Sequence, residues 1–148
     1  MCFFEVCRKI LGKVRGRKIS FLVYENKEEK YQKLYMLLQD AIGRADMEEA
    51  PIHRISTLED GISYLKTESV EAVFVSLEDK AGQGMVLANQ IREYAEFVNI
   101  IAMAEEPVYM MDCWKIHVSG YIHGELSQEK VLDELEHLKF PVHESERI

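Results

Sequence analysis

Residues 71–92, EAVFVSLEDKAGQGMVLANQIR, restrict the fold more than any other stretch of the chain. Four apolar residues, Ala72, Val73, Phe74 and Val75, run in succession and end at the polar Ser76, Glu78 and Asp79. Two glycines, Gly82 and Gly84, then mark a loop. Met85, Leu87, Ala88 and Ile91 follow at helical spacing. Apolar run, polar tip, glycine loop and amphipathic helix make a strand–loop–helix unit of an α/β protein. In a parallel sheet, sites are built at the carboxyl ends of the strands, so residues 76–84 are the first place to look for chemistry.

The same alternation runs along the rest of the chain. A short apolar strand is expected over 19–23, ending at Tyr24, Glu25 and Asn26. A helix over 27–45 follows, with Tyr31, Leu34, Tyr35, Leu38, Ala41 and Ile42 on its apolar face and Gly43 near its end. A weaker strand is expected over 52–55. Ser56 or Thr57 can cap the next helix, with Glu59 near the capping-box position and Leu58, Ile62, Leu65 and Tyr64 available for packing. After the central unit come a strand over 98–103, a short helix opened by Glu105, Glu106 and Pro107, and a strand over 119–123. A last helix is capped by Ser127, with Val131, Leu135 and Leu138 inward. Five strands alternating with five helices over short loops imply a three-layer, doubly wound parallel sheet covered on both faces.

Charge separates the front of the chain from its body. Residues 1–18 hold six basic residues against Glu5 alone, whereas the other 130 residues hold 12 basic and 25 acidic ones, a balance of −13. So acidic a body argues against nucleic-acid binding by the domain. Residues 3–14 read as an amphipathic helix with Phe3, Phe4, Cys7, Ile10, Leu11 and Val14 on one face. That face is expected to dock on its own domain or on a second copy, because so short a helix is marginal alone; contact with a membrane surface or a partner protein is the alternative. Deleting residues 1–16 is expected to change the oligomeric state more than the fold. No secretory signal and no membrane-length apolar run are evident. Cys2, Cys7 and Cys113 lack metal-type spacing, which fits free thiols in a reducing, cytoplasmic setting. The expected division is a basic helix over 1–17, one domain over 18–139 and a polar tail over 140–148.

No P-loop and no dinucleotide fingerprint is present, since Gly82 and Gly84 lack a third glycine at the needed offset. The segments KISFLVYENKEE, EAVFVSLEDKAGQGMVLANQIRE, VNIIAMAEE and SGYIHGELS do carry a family likeness. With Gly84, the IRE at 91–93 and the GYI at 120–122, they make residues 18–139 resemble a receiver domain of a bacterial response regulator, close in flavour to receivers that precede LytTR-type DNA-binding domains. The resemblance implies a five-stranded parallel sheet in the order 2-1-3-4-5. It also implies a function: accepting a phosphoryl group from a histidine kinase onto an aspartate, with magnesium.

Position by position, that machinery is missing. The acidic pair after the first strand falls on Tyr24 and Glu25, and the phospho-acceptor on Ser76. The hydroxyl residue falls on Ala104, and the lysine–proline pair on Gly124 and Glu125. A serine with no adjacent base stays protonated, and Glu25 beside Tyr24 is a poor magnesium site. The resemblance therefore implies a degenerate pseudo-receiver, not an enzyme, with no cofactor and no metal. It would act through protein contacts and most simply as a homodimer. Tyr121 falls on the aromatic switch position of the family, and Tyr109, Met110, Trp114 and Tyr121 on its usual partner face. A ligand-binding sensor using the vacated pocket and the regulatory front part of a DNA-binding regulator are the alternative readings. Three other constellations are discounted: His117 with His123 as metal ligands, Cys113 with His117 as a nucleophile pair, and a serine hydrolase at Ser76, which lacks the glycine elbow. Glu78, Asp79, Glu105 and Glu106 make an acidic rim that reads as a solvated face, with a weak cation site as the alternative.

Overall fold

A computed structural model describes residues 19–44, 50–79 and 81–140. The amphipathic helix expected over 3–14 and the tail from 141 onward lie outside the described residues. In chain order the elements are β1 (Ile19–Tyr24), α1 (Glu28–Arg44), β2 (Ile52–Arg54), α2 (Leu58–Thr67), β3 (Ser69–Ser76) and α3 (Gln83–Tyr94). They continue with β4 (Ile100–Ala104), a 3-10 turn (Pro107–Tyr109), α4 (Met110–Lys115), β5 (Gly120–His123) and α5 (Gln128–Glu136). The five strands form one sheet in the order β2-β1-β3-β4-β5, and every pair in it is parallel. The fold class and strand order are those expected.

Successive side chains on a strand point to opposite faces, and the core divides accordingly. Phe21, Val23, Phe74, Ile101 and Ile122 pack with Leu34, Leu38, Ala41 and Ile42 of α1 and Val131 and Leu135 of α5. Leu22, Tyr24, Val73, Val75, Ile100 and Ala102 pack on the other face with Leu87, Ala88 and Ile91 of α3 and Cys113 of α4. The run from Val70 to Val75 is buried throughout, because β3 lies at the middle of the sheet with a layer on each side. Caps set two helix starts. Thr57 Oγ1 accepts a hydrogen bond from Asp60 N at 3.2 Å, and Ser127 Oγ accepts one from Lys130 N at 3.2 Å.

Boundaries differ from the expectation where hydrogen bonding overrides pattern. β3 begins at Ser69, three residues before its apolar run, because Ile19 and Ser20 pair with Ser69 and Val70. β4 begins at Ile100 rather than 98, and Asn99 just before it holds other segments with its side chain. Asn99 Nδ2 donates to Glu71 O at 2.8 Å and to Phe140 O at 2.7 Å, and its Oδ1 accepts from Phe140 N at 2.8 Å. On α1 the expected inward Tyr35 is only half-buried; its hydroxyl accepts from Gln39 at 3.0 Å, and Leu37 packs on the core.

Candidate functional site

The strand order turns between β1 and β3, the place where open α/β sheets leave a crevice beyond the strand ends. A cleft of about 580 Å³ lies there, with Glu25, Ser76, Ala104 and Gly124 in its lining. A smaller hollow of about 130 Å³ adjoins it, lined by Tyr24, Glu25, Ser76, Glu78 and Asp79 among others. The five residues picked out by position, from four different strand ends, therefore meet around one site.

Gly84 makes this end of the sheet possible. A Cβ at Gly84 would lie 1.9 Å from Ser76 O and 3.3 Å from Leu77 Cα, so the first turn of α3 sits directly against the end of β3. Gly82 just before it has φ 67°, a conformation that favours glycine. Asp79 accepts the Gly84 amide at 3.2 Å, satisfying one of the free N–H groups at the start of α3. The same carboxylate accepts the Tyr24 hydroxyl at 2.9 Å, while Asn26 Nδ2 donates to that hydroxyl oxygen at 3.1 Å. Burial, reinforced by the Asp79 hydrogen bond, raises the Tyr24 pKa. Tyr24 thus reaches over the end of β3 as a neutral phenol fixed by Asp79.

The acidic rim divides: Glu105 and Glu106 are exposed as expected, whereas Glu78 and Asp79 are partly buried and taken up by protein donors. Glu78 accepts the backbone amide of Glu105 and an ion pair from Lys30 at 3.2 Å, and Lys30 also pairs with Glu105 at 3.0 Å. Burial opposes the charge on Glu78, but the Glu105 amide and Lys30 together outweigh it and hold the carboxyl below its ordinary value. Burial likewise opposes the Lys30 ammonium, and its hydrogen bonds to Glu105 and Glu78 outweigh that and raise its pKa. Lys33 pairs with Glu125 at 2.9 Å, and that contact lowers the pKa of Glu125. Two lysines of α1 thereby tie down the loops that follow β3, β4 and β5. Sequence reasoning missed both, although their i, i+3 spacing on α1 places them on neighbouring turns of one face.

Six carboxylates and two lysines line the cleft, and both lysines are already paired. Glu25 stands apart from the other carboxylates. The residue is 4% exposed, and its Oε1 has no hydrogen-bond partner among the described residues. The magnesium ion that the resemblance implies does not fit this arrangement. Magnesium calls for octahedral oxygen ligation, usually with one or two carboxylates and substrate phosphate. Here Glu78 and Asp79 are spent on protein donors, and no group of three metal-ligating side chains comes together among the described residues.

The expected partner-face residues sit elsewhere. Tyr121 lies on β5 against the α3 and α4 side of the core, and its hydroxyl donates to Glu106 O at 2.9 Å. Burial, then the neighbouring Cys113 and Glu78, push its pKa up to about 12. Tyr109 packs on the same cluster, whereas Trp114 is 74% exposed. The Cys113–His117 pair does not form as a helical i, i+4 contact: α4 ends at Lys115 and His117 has φ 58°. Burial, with Asp112 adding to it, pushes the Cys113 thiol up to about 11, so it is a core thiol rather than a nucleophile. His117 and His123 are both exposed and belong to no metal-ligating group among the described residues.

No family model and no curated protein sequence matches the chain. Solved structures do. Chemotaxis protein CheY4 of Vibrio cholerae superposes with a TM-score of 0.66 at 13% identity, over 81% of this chain and 98% of that one. A CheY-like receiver domain protein of Methanospirillum hungatei gives 0.66 at 12% identity, over 86% and 97%. A two-component response regulator from Clostridium difficile gives 0.63 at 17% identity, over 80% and 93%. The likeness is one of architecture: the chain has the fold of CheY-like response-regulator receiver domains.

Proposed function

We propose that this chain is a receiver-like signalling module that carries no phosphoryl group and works through protein contacts. The observation that supports this best is the chemistry of the cleft. Ser76, not a carboxylate, ends β3, and both lysines of the lining are neutralised by Glu78, Glu105 and Glu125. A phosphoryl dianion would enter a cleft with four more carboxylates than lysines, where both lysines are already paired; Lys27 lines only the adjoining hollow. Intact mass after incubation with magnesium and acetyl phosphate tests this, with an active receiver alongside. No added phosphoryl mass is expected; stoichiometric modification would return the protein to the phosphorelay class.

The contact surface in this reading is the 3-10 turn and α4. Val108, Met110, Met111 and Trp114 lie close together in sequence there and are 69%, 46%, 65% and 74% exposed. Met and aromatic side chains are enriched in the buried parts of interfaces, and a second copy of the chain is the partner favoured here. A cleft of about 580 Å³ also supports a second reading, a ligand sensor, because its volume lies within the range of small-molecule sites.

A further inference from the structure

We infer that the cleft at the β1/β3 turn of the sheet is a site for a small organic cation, a primary ammonium or guanidinium on an apolar stem, with its charged head on Glu25. The inference rests on the reading that this cleft takes no phosphoryl group.

Glu25 follows β1 directly and lines both the main cleft and its side hollow; Lys27 lines the hollow but not the cleft and makes no hydrogen bond to Glu25 Oε1. It is 96% removed from solvent, yet Oε1 has no protein donor among the described residues. A buried carboxylate oxygen left without a donor is costly, and the cost falls when a charged N–H donor arrives. The other carboxylates close to it are spent: Glu78 on the Glu105 amide and Lys30, Asp79 on Tyr24 and the Gly84 amide. One available carboxylate matches a monovalent ammonium, which needs hydrogen-bond acceptors and a single compensating charge. It does not match a divalent metal, which needs several oxygen ligands at once.

The rest of the lining agrees with this class. Met103 and Ala104, 7% and 5% exposed, and the half-buried Leu126 give the cleft an apolar wall for a short alkyl stem. Around the mouth, Glu29, Glu106 and Glu125 are exposed, and the excess of carboxylates over lysines raises the local concentration of cations.

The probe is 1,4-diaminobutane, with 1,4-butanediol as the uncharged analogue of equal length. It is titrated into the 148-residue chain and followed by amide chemical shifts at moderate salt. Saturable shifts centred on residues 25, 76 and 104 are expected with the diamine and not with the diol. Glu25→Gln, which keeps an acceptor but loses the charge, is expected to weaken the diamine by about tenfold or more. Comparing diamine with diol on the unmodified chain keeps the test valid if a Glu25 variant fails to fold. Equal response to diol and diamine overturns the inference. So does unchanged affinity in Glu25→Gln, a non-saturating response that leaves Glu25 merely hydrated, or magnesium chloride giving the same saturable shifts. Modification by acetyl phosphate overturns the reading beneath it; absent amine binding with no such modification overturns this inference alone.

Discussion

Two residues bear on the fold beyond their size. Gly84 is held to glycine by contact rather than by backbone angle, because Ser76 O occupies the place of its Cβ. Gly84→Ala forces β3 and α3 apart and is expected to cost about 3 kcal/mol or more, read as a lower urea midpoint with an unchanged slope. Asn99 is 1% exposed and joins three pieces of backbone, with donors to Glu71 O and Phe140 O and an acceptor for Phe140 N. Asn99→Ala removes all three bonds and is expected to cost about 2–4 kcal/mol. Asn99→Asp is expected to cost more than Asn99→Ala despite its similar shape, because it keeps one bond and turns a carboxylate oxygen toward two carbonyls. Urea denaturation of both variants checks that order, and faster hydrogen exchange at the Phe140 amide reports release of the segment after α5.

At the level of elements, the loops after β3 and β4 are held by the Glu78–Lys30–Glu105 group in addition to the apolar packing of Leu77. Glu78 has a folded pKa below its ordinary value of 4.5. Its contribution to stability is therefore fully present above the unfolded pKa and is lost as pH falls through the folded one. The melting temperature of the wild type is expected to exceed that of Glu78→Gln at pH 7, and the two curves are expected to converge in the acid range below 4.5. A gap that persists unchanged under acid would place the effect of Glu78 in packing rather than charge. Arg92 fastens another junction: its guanidinium donates to Val98 O at 2.6 Å, Glu96 O at 2.9 Å and His117 O at 2.9 Å, joining the end of α3 to the loops before β4 and β5. Arg92→Ala leaves those carbonyls without their charged donor and is expected to cost about 2–3 kcal/mol in urea unfolding.

For the molecule as a whole, two faces differ in what they offer. The cleft at the strand ends is negative and lined in part by paired charges, whereas α4 and the turn before it expose Trp114, Met111 and Val108. Trp114→Glu is expected to shift the protein toward monomer in sedimentation at raised concentration. Because Trp114 is 74% exposed, the melting temperature of the dilute monomer is expected to move little, within about 0.5 kcal/mol of stability. A variant with the same concentration-dependent mass as the wild type would remove this face from the proposal.

The sequence by itself determined the α/β class, the order of the elements and the five residues around the cleft. The class and the order follow from local pattern: unbroken apolar runs such as Ala72 to Val75 and helical periodicity such as Leu34, Leu38, Ala41 and Ile42 are legible one segment at a time. Resemblance then placed Tyr24, Glu25, Ser76, Ala104 and Gly124 at the strand ends, where the structure gathers them around the cleft and its side hollow. What only tertiary structure decided is how each polar group is spent. Lys30 is 48 residues from Glu78, Tyr24 is 55 from Asp79 and Asn99 is 41 from Phe140. Such pairings depend on which strand ends become neighbours, and no local pattern encodes them. The isolation of Glu25 belongs to the same class: a carboxylate looks alike in any sequence, and the lack of a donor at its Oε1 emerges only in the folded chain.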